Sequence, residues 1–70
     1  MKLPSEELFK LMIAYLKIVD SGDLGDKRSE AHDAMMRQMR CEGWEFEDRN
    51  EARELARLTI STVKKLAELL

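Results

Sequence analysis

The stretch Met39-Arg40-Cys41-Glu42-Gly43-Trp44-Glu45-Phe46-Glu47-Asp48-Arg49-Asn50-Glu51 decides how this chain folds. A glycine after a run of good helix formers suits the left-handed position just past a helix end, which it reaches without a Cβ clash. With Gly43 there, Trp44 and Met39 become the apolar pair that accompanies a Schellman ending. Trp44 and Phe46 then alternate with Glu45 and Glu47, so a short extended link turns both rings to one side. Asp48 follows as an N-cap, with Glu51 three residues on as its capping-box partner. The stretch therefore reads as one helix ending, an extended corner, and another helix beginning.

Upstream, a helix over about 26–42 starts near Asp26. It is separated from an earlier one by Ser21-Gly22-Asp23-Leu24-Gly25. That first helix, about 5–20, opens at Ser5 behind Pro4, with Glu6 and Glu7 at the positive end of its dipole. Downstream, a third helix covers about 48–70. Thr59-Ile60-Ser61-Thr62-Val63 prefers strand by residue type. Its neighbours favour helix and its apolar residues keep the 3.6-residue period, so it is read as a weak or slightly bent helical turn. The expected fold is all-α: a single-domain three-helix bundle over 1–70, assembling as a homodimeric helical bundle.

Composition bounds the function. Of 70 residues, 44% are hydrophobic and 37% charged, the balance of a folded domain. One cysteine, Cys41, excludes an internal disulfide and fits a reducing compartment. The apolar run from Leu11 to Val19 is broken by Lys17, far short of the ~20 residues that span a bilayer. Met1-Lys2-Leu3 runs straight into Pro4 without a secretory pattern. These features predict a cytoplasmic protein with no membrane association. The net charge of -2 lacks the basic bias of a nucleic-acid binder, so any such contact needs a local patch.

The faces of the helices are unequal. Helix 1 has a narrow polar stripe of Glu6, Lys10, Ala14, Lys17 and Ser21, and its apolar positions cover roughly 220°, against ~100° on a typical surface helix. Helix 3 places Arg53, Glu54, Arg57, Ser61, Lys64, Lys65 and Glu68 on one side and fills roughly 200° of the rest with apolar residues and threonines. Helix 2 offers only Ala31, Met35 and Met39, flanked by Ala34, Met36 and His32. A thin second helix cannot cover both surpluses. The predicted interface therefore comprises Phe9, Leu11, Met12, Tyr15 and Leu16 of helix 1 with Leu55, Leu58 and Leu69 of helix 3. The expected partner is a second copy, with an unidentified protein as the alternative.

Chemistry-bearing constellations are few. His32, Met35, Met36 and Met39 share a side of helix 2, a set that can hold Cu(I), but a methionine stripe at helical spacing reads as core. A calcium loop starting at Asp20 fails, because Gly22, Leu24 and Ala31 stand where oxygen ligands are needed. Cys41 is nine residues from His32, too far along a helix for a nucleophilic pair, and is read as a partly buried structural thiol. The carboxylates Glu42, Glu45, Glu47 and Asp48 read as a solvated link plus a helix start. No cofactor, metal or catalytic residue is expected. Arg49, Arg53 and Arg57 recur every four residues with Lys64 nearby, a row that could meet phosphates. With Trp44 they are the candidates for partner or nucleic-acid contact. Asp48, Glu51 and Glu54 adjoin the row, so nucleic acid is the less favoured of the two readings.

Overall fold

The computed structural model describes residues 3–70 and consists of three helices: α1 (Glu6–Asp20), α2 (Asp26–Cys41) and α3 (Arg49–Leu69). No strand occurs among the described residues. The boundaries agree with the sequence pattern to within a residue, because each end is set by local chemistry. Ser5 caps α1 by accepting a hydrogen bond from the Leu8 N–H at 3.1 Å. Asp48 does the same for α3 with the Glu51 N–H at 2.9 Å. Glu51 reaches back as a capping-box residue does, but its carboxylate accepts from the Glu47 N–H at 3.1 Å, one residue before the cap. The β-prone segment around Thr59 stays helical throughout.

The end of α2 is a Schellman motif. Gly43 has φ 81°, its N–H donates to the Arg40 carbonyl, and the Trp44 N–H donates to the Met39 carbonyl at 2.9 Å. Beyond it, half-buried Trp44 and Phe46 alternate with exposed Glu45 and Glu47. Both rings pack on the core, and the Arg40 guanidinium lies 5.0 Å from the centre of the Phe46 ring.

α1 is the central element. It runs antiparallel to α2: Ser5 meets Glu42 at one end, and Tyr15 meets His32 edge-to-face at 5.0 Å further along. It also runs antiparallel to α3, with Asp20 beside Arg57 and Phe9 sharing a pocket with Val63. α1 packs on both other helices, whereas α2 and α3 meet more thinly. The core comprises Leu8, Met12, Tyr15 and Leu16 from α1, Met35 and Met39 from α2, and Ala52, Ala56 and Ile60 from α3. Three unbranched methionines among them fill the irregular space between crossing helices.

One join is purely tertiary. The Glu42 carboxylate accepts from the Ser5 N–H at 3.0 Å, the Ser5 hydroxyl at 2.6 Å and the Gln38 side-chain amide at 2.8 Å. A residue that reads as part of a solvated acidic link thus fastens the start of α1 to the end of α2.

Candidate interaction surface

α3 carries two apolar stripes. The first, Ala52, Ala56, Thr59 and Ile60, is buried against the core. The second lies about 100° further round and consists of Leu55, Leu58, Thr62, Leu66 and Leu69. Leu58 is 63% exposed, Leu66 47% and Leu69 83%, while Leu55 and Thr62 are half-buried. The C-terminal part of the helix is its least covered. Lys64 through Leu70 are all exposed, including Ala67 and Leu70, which continue the core-facing side.

The residues expected at an interface divide between two fates. Leu58 and Leu69 stand on the surface and Leu55 at its edge. Met12, Tyr15 and Leu16 lie inside the chain's own core, at 0%, 3% and 9% exposure, so their place is corrected from interface to interior. Phe9 and Leu11 are half-buried and pack against that core. The physical reason is position: α1 lies between its neighbours, so even a wide apolar arc finds partners within one chain. Leu66 was the residue missed on the exposed stripe, although its spacing from Thr62 places it there.

The arginine row does not stand free. Arg49 lies 3.5 Å from Asp33, Arg57 3.1 Å from Asp20, and Arg53 donates to the Asn50 side-chain oxygen at 3.2 Å. Lys64 is exposed and lines a groove between α1 and α3 with Lys17 and Arg57. Two of the three arginines are thus aimed at acids of the same chain. These pairs are exposed, so each contributes little to stability.

Beside the start of α3, a cavity of about 250 Å³ is lined by Tyr15, Arg28, His32, Arg49 and Arg53 among others. His32, one of the residues flanking the apolar face of α2, is buried, at 4% exposure. Its Nε2 lies 3.5 Å from the Arg49 carbonyl oxygen, and Nδ1 has no hydrogen-bond partner among the described residues. Burial lowers its pKa below the usual 6.5; the Arg49 carbonyl opposes this, the Arg49 charge adds to it, Asp33 opposes it and Arg28 adds to it. His32 is therefore neutral at pH 7, and its ring serves as packing for Tyr15.

Cys41 is exposed, which corrects its reading as a partly buried thiol. At ~100° per residue it lies about 160° around α2 from buried Met39, on the solvent side. Among the described residues no cluster of His, Cys, Asp or Glu is arranged to hold a metal ion. Among the described residues, no helix is long and apolar enough to cross a membrane. Comparison with known proteins finds no matching family model, no similar curated protein and no similar solved structure.

Proposed function

We propose that this chain is a non-enzymatic interaction module that acts as a homodimer, pairing through the apolar outer face of α3. The supporting observation is the row Leu58, Leu66 and Leu69, exposed on a helix whose other apolar stripe, about 100° away, is already buried. Exposed leucines scattered singly are ordinary; a continuous row at helical spacing is the mark of a surface meant to be covered. The lone exposed Cys41 fits a reducing, cytoplasmic setting. The nucleic-acid alternative gains no support from the arginine row, since Arg49 and Arg57 already face Asp33 and Asp20.

Light scattering over a concentration series tests the reading. The expected mass approaches twice the 8.2 kDa of one chain, and Leu58→Asp returns it to the monomer value. A native chain that stays at 8.2 kDa at the highest concentration overturns it. A monomer that retards a DNA probe at low salt transfers the function to the arginine row.

A further inference from the structure

Three arginines from two helices line the cavity beside the start of α3: Arg28 of α2, with Arg49 and Arg53 of α3. Among the described residues, no carboxylate lines it. Arg28 and Arg53 are half-buried. The Arg28 guanidinium makes no hydrogen bond or ion pair among the described residues, and the Arg53 guanidinium donates only to the Asn50 side chain. A guanidinium carries five N–H donors and a charge that it keeps at any physiological pH. Drawn partly out of water with no acid to meet it, such a group costs free energy that a bound anion offsets.

Asp33 is the competing acid. It lies 3.5 Å from the Arg49 guanidinium and 3.9 Å from the His32 ring, but Asp33 and Arg49 are both exposed, so water screens their pairing. Three guanidiniums against this one carboxylate leave two positive charges unmatched. From this cavity and its charge we infer that the chain binds a small organic phosphate, a phosphomonoester seated by its phosphate among Arg28, Arg49 and Arg53. Such a head carries about 1.5 to 2 negative charges near pH 7, which matches the surplus. It also offers three terminal oxygens to three guanidinium forks, where a carboxylate offers two and leaves one positive charge over. The first turn of α3, which holds Arg49 and Asn50, adds the positive end of its dipole.

Size and surroundings select a small ligand. At about 250 Å³ the cavity lies below the ~300–1,000 Å³ of sites for drug-sized molecules. A nucleic-acid strand needs positive charge strung along a groove. Here Arg57 is turned to Asp20 and Lys64 lines a different groove, so the charge is gathered at one point. The carbon part of the ligand has its own contact in Leu24, which lines the cavity at 82% exposure. Tyr15 lines it too, at 3% exposure, and its hydroxyl, without a hydrogen-bond partner among the described residues, supplies a neutral donor. The cavity shares no residue with the outer stripe of α3, so binding there does not depend on dimerisation.

The test is an NMR titration of the isotope-labelled chain at pH 7 and low salt, in buffer free of phosphate. Phenyl phosphate is the probe, with inorganic phosphate and benzoate titrated beside it. The expected result is saturable movement of the His32, Arg49 and Asn50 amide signals and of the Arg28 and Arg53 side-chain N–H signals. Phenyl phosphate should bind more tightly than inorganic phosphate, because it reaches Leu24, and about ten-fold more tightly than benzoate. Arg28→Gln and Arg53→Gln should each weaken it about ten-fold or more. Arg37→Gln removes the same charge from the exposed surface of α2 outside the cavity and should leave the affinity unchanged. Circular dichroism checks the fold of each variant, and the titration of the native chain decides even where a variant fails to fold. Movement without saturation, or an equal loss from Arg37→Gln, is diffuse charge attraction and overturns the site. Inorganic phosphate binding as tightly as phenyl phosphate overturns the organic ligand, and benzoate doing so overturns the choice of phosphate.

Discussion

α1 and α3 have nearly the same apolar width in sequence and opposite fates in the structure. α1 contributes four residues to the core, and none of its large hydrophobic side chains is exposed. α3 buries one stripe and leaves Leu58, Leu66 and Leu69 in solvent. The cause is where each helix sits. α1 is flanked by α2 and α3, and the aromatic corner of Trp44 and Phe46 adds to the core against which its outer residues pack. α3 has α1 on one side, meets α2 only thinly, and is exposed at every residue from Lys64 to Leu70. An apolar arc thus predicts that a surface must be covered, while the order of packing determines which chain covers it.

The largest break of this contrast comes from the core of α1. Met12→Ala should cost about 2–5 kcal/mol, the range for emptying a fully buried site, in chemical denaturation. A cost near zero would mean that α1 is no more committed than α3. Next is the corner that places α3 at all. Gly43→Ala forces an L side chain into φ 81° and should destabilise by about 1–2 kcal/mol without altering the helical circular dichroism of the native state. Glu42→Ala removes the acceptor shared by Ser5 and Gln38 and should cost about 1 kcal/mol, since the two bonds to Ser5 are exposed and the one to Gln38 is only part-buried.

His32 gives a pH signature to the buried side. Its pKa is lowered in the folded state, so between 6.5 and that lower value the unfolded chain binds more protons. Stability should therefore be level above about pH 6.5 and fall as pH drops below it. His32→Gln should flatten that fall, measured as denaturation midpoints at pH 7.5 and 5.5. The smallest expected effect lies on α3. Leu69→Ala should change the stability of the diluted chain by less than about 0.5 kcal/mol, as at an exposed site, yet weaken self-association in light scattering. Equal losses from Leu69→Ala and Met12→Ala would erase the distinction between the two helices.

Much of the fold is legible in the residues because its signals are local. Gly43 needs a positive φ, Ser5 and Asp48 offer oxygens to N–H groups three residues on, and the helix formers around Thr59 overcome its strand preference. The exposed polar stripe of α1, from Glu6 to Lys17, follows from the helical period in the same way. The candidate surface was only half legible. Leu58 and Leu69 are where the pattern places them, but Met12, Tyr15 and Leu16 share that pattern and are interior.

What the sequence determined by itself is three helices, their caps and corners, and an excess of apolar surface, because these depend on chemistry within a few residues of chain. Only the tertiary structure decided that α1 is central, that Glu42 holds Ser5, that Arg49 and Arg57 face Asp33 and Asp20, and that the uncovered stripe belongs to α3. Those outcomes depend on which faces meet across distances of tens of residues. Helical periodicity records that a face is apolar but not which neighbour reaches it first.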